Sequence, residues 1–248
     1  TGTGTVYDLT ENNDAGGAYV TASATGTGTL TYSGGNKVKI TCAEEEPTNE
    51  YIADCEIGAE CSAAVSGGSA VLSSTSNETI SCTATSGTVT QTSGSSTGTT
   101  KLTFTGCKEK VTGFEFSCYS PGEAKGKLVT NTLISHLVNL EEAATVPGVL
   151  LTGVNTTIQC DSGPSKRTVT GNLMGKFEEP SCGSFASSHK IEFTQASEGH
   201  QTYKQVTGTG TVYDLTENND AGGAYVTASA TGTGTLTYSG GNKVKITC

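Results

Sequence analysis

Tryptophan is absent from this sequence of 248 residues; methionine occurs once, histidine three times and proline five times. Lysine and arginine are scarce too, 14 against 24 acidic residues, for a formal net charge of −10. Nucleic acid is therefore excluded as an expected partner, because binding phosphates needs a cationic surface that releases counterions. No run reaches the roughly 18 apolar residues of a membrane-spanning helix. There is no CxxC pair, so a zinc site has no motif to stand on, and a serine nucleophile would need a histidine within reach of a serine in a strained turn. No catalytic residue, cofactor or metal is expected, and the protein reads as a non-enzyme. The chain opens at Thr1 without an apolar leader, so any export signal is expected to have been removed or to lie outside it.

What is abundant is threonine, serine and glycine, in a chain that is 33% hydrophobic. That mixture suits strands with one wet face, joined by tight turns. Nine cysteines stand at Cys42, Cys55, Cys61, Cys82, Cys107, Cys118, Cys160, Cys182 and Cys248. Their spacing suits disulfides in an oxidising, extracellular setting.

The strongest signal is a repeat. Residues 207–248 reproduce residues 1–42 letter for letter, an offset of 206 residues, so Cys248 is Cys42 one period later. One period then holds an even eight cysteines. No proline-rich linker separates Gln205 from Thr207, so the boundary between periods falls in structured sequence.

In chain order, alternation predicts strands through Val6–Leu9 and Ala18–Ala24. A hairpin is predicted over 27–42, with Leu30 and Tyr32 on one arm and Val38 and Ile40 on the other. Its turn is Ser33-Gly34-Gly35-Asn36. Residues 43–82 form a cysteine-rich β segment that needs covalent staples. Residues 83–107 read as two strands around the tip SGSSTG, and Phe114 and Phe116 mark another. In 126–140, Leu133, Leu137 and Leu140 have helical spacing, but Thr130, Thr132, Ile134 and Val138 favour a strand, which is the expectation here. Further strands pass through Val149 and Leu151, Ile158, and Val169, Leu173 and Met174.

Other candidates have plainer readings. Asp8, Glu11 and Asp14 offer oxygen ligands for calcium without EF-hand spacing, and a solvated turn is the simpler account. His189 and His200 stand in polar stretches and read as solvated; His136 alternates with Ile134 and Val138 and reads as half-buried. The acidic clusters at 44–46, 141–142 and 178–179 read as solubilising loops. Tyr7, Tyr19, Tyr32, Tyr51, Tyr119 and Tyr203 could face a sugar, but strand tyrosines commonly pack with the hydroxyl toward water. Asn77-Glu78-Thr79 and Asn155-Thr156-Thr157 fit the glycosylation acceptor pattern. The best disulfide guess from spacing is Cys107–Cys118, with Cys82–Cys160 and Cys182–Cys248 weaker. The last would lock the end of the repeat onto the unit before it and leave Cys42 needing a partner elsewhere.

From Ile80 to about Gln205 the chain resembles a family of secreted, Thr- and Gly-rich all-β proteins of unassigned function from actinobacteria. The resemblance rests on I-S-C-T at 80–83, L-T-F-T-G-C at 102–107 and C-Y-S-P-G-E-A-K-G-K-L-V-T-N-T-L at 118–133. P-G-V-L-L at 147–151 and T-V-T-G-N-L-M-G-K at 168–176 continue it. It implies an exported β domain with Cys82, Cys107, Cys118 and Cys160 as the shared set, and it lends no catalytic residues. It does not account for the repeat.

The expected fold is all-β: one or more disulfide-stapled antiparallel β-sandwiches, forming a tandem-repeat or strand-exchanged polymer unit. The expected divisions are 1–42, 43–82, 83–206 and 207–248, the last opening the next period. Open sheet edges invite a further strand, and a strand-rich segment can complete a neighbour's sheet. Such a head-to-tail contact does not close on itself and grows a fibre. The joint is expected at Thr207, Val212, Tyr213, Leu215, Leu236, Tyr238, Val244 and Ile246. The partner is then another copy of the protein, in an extracellular filament, pilus-like fibre or surface stalk. A cell-surface adhesin or carbohydrate-binding module, with the cell surface or glycans as partner, is the alternative.

Overall fold

The computed structural model describes residues 7–11, 20–24, 51–75, 79–140, 146–163, 166–178, 182–196, 200–205, 211–212, 215–219 and 225–248. Two compact units divide the chain, Thr1–Thr48 and Asn49–Cys248. The second runs across position 206, where one period was expected to give way to the next. In the first unit, β1 (Tyr7–Glu11) pairs antiparallel with β2 (Val20–Ala24), Leu9 opposite Ala22. The hairpin expected over 27–42, Asp14 and Cys42 lie outside the described residues.

Among the described residues of the second unit all regular structure is strand, and the strand reading of 126–140 stands as β10 (Lys127–Val129) and β11 (Leu133–Asn139). Four strands are long: β4 (Glu60–Ser74), β12 (Pro147–Cys160), β13 (Lys166–Glu178) and β18 (Val226–Tyr238). Two strands expected separately, through Leu151 and Ile158, are one in β12.

Each long strand is a stave in two closed antiparallel rings. The first ring runs β4, β6 (Ala84–Thr92), β7 (Thr97–Thr105), β11, β12, β13, β14 (Ser188–Phe193), β18 and back to β4. The second runs β4, β5 (Thr79–Cys82), β8 (Lys108–Val111), β9 (Phe114–Tyr119), β12, β13, β17 (Leu215–Asn219), β18 and back to β4. Two closed rings of eight strands, here called barrels, therefore share four staves. Eight strands enclose about the width that side chains can fill, and closure pairs both sides of each stave.

The barrels meet where the long staves change register, between Leu151 and Val154 in β12 and between Gly232 and Gly234 in β18. Gly153 takes the left-handed φ of 78° that the β12 irregularity demands. Across the β18 irregularity, a Cβ on Gly67 would lie 2.3 Å from the Thr233 carbonyl oxygen, so only glycine permits the approach. One core fills each barrel. Val65, Leu102, Leu133, Leu151, Phe177 and Leu236 lie in the first, and Ile80, Leu128, Ile158, Val169, Leu215 and Ala228 in the second.

Four disulfides join Cys55–Cys61, Cys82–Cys107, Cys118–Cys160 and Cys182–Cys248. Cys107–Cys118 and Cys82–Cys160, inferred from spacing, are not formed. Cys160 stands directly opposite Cys118 in the β9–β12 ladder, and the Cα atoms of Cys82 and Cys107 are 3.9 Å apart. Barrel closure, not sequence proximity, selects those partners. No helix among the described residues is long and apolar enough to cross a membrane.

Candidate assembly joint

The C-terminal copy of the repeat contributes β17, β18 and β19 (Val244–Thr247) to the unit. β18 lies between β4 and β14 in the first barrel and between β4 and β17 in the second. Every second residue turns inward: Ala228, Ala230, Leu236 and Tyr238 reach the cores, and Gly234 keeps the wall thin between them. Without residues 207–248 both barrels would lose a stave at once.

Polar contacts fix this segment in register. Glu217 on β17 enters the wall beside Arg167 on β13, at 3.6 Å, and Arg167 also pairs with Glu109 on β8. All three are nearly buried, and Ser162 hydrogen-bonds Glu109. A buried pair of this kind contributes little net stability, but it penalises loss of either partner heavily. In the first barrel His189 Nδ1 on β14 is 2.9 Å from the Tyr238 hydroxyl, and the His189 ring meets both Phe177 and Tyr238 edge-on. Burial pushes the His189 imidazole down and the Tyr238 phenol up, favouring the neutral form of each.

Beyond β18 the chain reverses at Ser239–Asn242, where the Asn242 amide N–H donates to the Ser239 carbonyl. These are the counterparts of the turn residues expected in the first copy, but here the arms do not pair with each other. β19 pairs with β3 (Ile52–Cys55) instead, Ile246 opposite Ala53. Val244 and Ile246 are only 2% exposed there, an apolar contact that a two-stranded hairpin cannot supply. Asn242 clamps the arrangement. Its Oδ1 accepts from the Ile57 N–H and its Nδ2 donates to the Ile57 carbonyl, both at 3.0 Å. Thr247 donates to Asp54, and this bond with Lys245 holds the Asp54 carboxyl below the usual range. The Cys182–Cys248 bond closes the end.

Of the residues expected at the joint, Leu215, Leu236, Val244 and Ile246 are buried and Tyr238 is half-buried against the first core. Val212 lies in β16 (Thr211–Val212), paired with β15 (Lys204–Gln205); Thr207 and Tyr213 lie outside the described residues. Sequence reasoning missed Glu217, Arg167 and Glu109, whose meeting depends on ring closure. It also misplaced His189, which is 4% exposed rather than solvated. The alternation S-H-K-I-E-F was the available signal, since it puts His189 on the inward face with Ile191. His136 is half-buried, near Thr152.

The calcium candidates Asp8 and Glu11 fall in β1, where side chains are outside the described residues. The counterpart of Glu11, Glu217, is occupied by Arg167. Among the described residues, the grouping of potential metal ligands is Glu109 with Cys118 and Cys160, whose sulfurs are already bonded to each other. The barrel interiors hold apolar cavities of about 70 and about 100 Å³, well below the few hundred Å³ of a typical ligand site. Comparison with protein-family models, with curated proteins and with solved structures found no match.

Proposed function

We propose that the protein is a structural subunit of an extracellular filament, pilus-like fibre or stalk, in which units follow one another head to tail through the repeated segment. The unit is Asn49–Cys248, completed by its own C-terminal copy, and residues 1–42 complete a neighbouring unit. Residues 43–48, AEEEPT, are the connector. One observation carries this reading: the segment present twice is the one that supplies a stave to both barrels. Its first copy holds every side chain that the docked copy uses: Leu9, Glu11, Ala22, Leu30, Tyr32, Asn36, Val38, Ile40 and Cys42. β1 and β2 already share the register of β17 and β18, Leu9 opposite Ala22 as Leu215 is opposite Ala228.

Four disulfides and the resemblance to secreted Thr- and Gly-rich proteins support an exported location. A contact from one unit's segment to the next unit's groove is heterologous, so it propagates. Electron microscopy of the purified native material tests the proposal. Regular fibres with one repeat per unit are expected, and dispersed single units would contradict it. The mass of the reduced, denatured chain then tells units joined by peptide bonds from units joined by strand exchange.

A further inference from the structure

We infer that the joint is covalent: Cys42 of one chain bonds Cys182 of a second copy of the chain, once residues 1–42 are seated in the second copy's groove. This rests on the head-to-tail reading and adds the bond that closes it. Cysteine arithmetic is the first support. The other eight cysteines are paired among themselves, which leaves Cys42 no cysteine partner among residues 1–248. A cysteine left over beside eight paired ones points to a partner outside its own unit.

Its identical twin supplies the second support. Cys248 bonds Cys182 through the geometry set by β19, with Ile246 bridging to Cys182 and Val244 to Ala186. Residues 36–42 are the same seven residues as 242–248, so the same seat delivers Cys42 to the same sulfur.

Exposure is the third. Cys61, Cys82, Cys107, Cys118 and Cys160 are all buried, so each of the other three bonds has at least one buried sulfur, Cys55 being half-buried. Cys248 is exposed and Cys182 half-buried. The bond that ties the repeated segment to the unit is thus open to an attacking thiolate, whereas those inside the barrels are shielded.

The step balances without an external oxidant. The Cys42 thiolate attacks the Cys182 sulfur, the Cys42–Cys182 bond forms and the Cys182–Cys248 bond breaks. Cys248 leaves with the electron pair and takes up the proton that Cys42 gave up. The displaced C-terminal copy, now carrying a thiol, can repeat the attack on a further unit. Both copies make the same contacts, so each exchange is neutral in contact energy. Only the tether favours the resident copy, with an effective concentration in the millimolar range for a short connection. A bond made after seating is what holds the incoming copy in place.

The test uses two full-length variants. The donor carries Cys182→Ser and Cys248→Ser, the acceptor Cys42→Ser and Cys248→Ser, so a Cys42–Cys182 bond can form only between chains, and homodimers or glutathione adducts are told from it by mass. Mixed at high concentration in a glutathione redox buffer, they are expected to give a disulfide-linked heterodimer as the main product, with that bond in the non-reduced peptide map. A donor also carrying Leu30→Asp and Ile40→Asp should link at least tenfold more slowly. Equal rates for the two donors, or thiols capped singly by glutathione, would overturn the inference. If the acceptor fails to fold, mixed ¹⁴N and ¹⁵N wild-type chains under limiting thiol serve instead. A Cys42–Cys182 bond between isotopes is then expected, and its confinement within single chains would overturn the inference. Native fibres that lack the bond overturn the covalent seal and leave the fibre reading in place; the bond in material without fibres does the reverse.

Discussion

The two copies of the repeated segment have one sequence and two settings. Residues 207–248 are a structural part of both barrels, with β18 paired along both sides and Ala228 and Ser229 fully buried. In residues 1–42 the described strands are β1 and β2, paired with each other as a two-stranded sheet. A two-stranded hairpin is marginal alone in water. The difference shows that the local register of this sequence is set by the sequence itself, since it is the same in both copies. The burial that stabilises it is set by the groove.

Substitutions in the two settings break or sharpen this comparison. The largest effect is expected from Arg167→Met, which strands Glu109 and Glu217 in the barrel wall. Urea denaturation of the dispersed chain should show a loss of about 3–5 kcal/mol, while Glu11→Gln, at the counterpart of Glu217, leaves the main transition unmoved. Leu236→Ala should cost about 2–5 kcal/mol by opening a cavity in the first barrel. Leu30→Ala, the same change in the first copy, should stay within about 0.5 kcal/mol. If both leucines cost the same, the copies share one environment and the contrast fails.

The third pair is Cys248→Ser against Cys42→Ser. Loss of the Cys182–Cys248 bridge should lower stability by about 2–4 kcal/mol, and loss of Cys42 should leave the melting temperature of the dispersed chain unchanged. The smallest effect is on pH dependence. Burial depresses the His189 imidazole below its usual value near 6.5, so the unfolded chain takes up the proton first. Its contribution is fully present above about pH 6.5 and is lost as pH falls below that value. His189→Gln should flatten this acid-side slope of the melting temperature, and an unchanged slope would remove His189 from the account.

Much of the fold was legible in the residues. Threonine, glycine and period-two alternation led to strands throughout, and β-branched residues rightly outweighed the leucine spacing of 126–140. What local pattern could not show was closure, because a ring is a property of which distant strands meet. The same gap hid the disulfide partners, as Cys118 and Cys160 become neighbours through the β9–β12 ladder. It also explains why residues 236–246, the counterparts of the hairpin expected over 27–42, do not pair with each other. The turn forms, but β3 buries Ile246 better than β18 could. In residues 207–248 the apolar positions were readable from alternation, whereas the Arg167 and Glu217 pairing required two strands that are far apart in sequence.

The central claim is that either copy can serve as the shared stave, and deleting residues 207–248 tests it most directly. The shortened chain keeps one copy and one groove. The account predicts that it folds to near the original stability with Cys42 bonded to Cys182, and that sedimentation shows head-to-tail oligomers. A shortened chain that stays unfolded, or one with Cys42 and Cys182 both free, would contradict it.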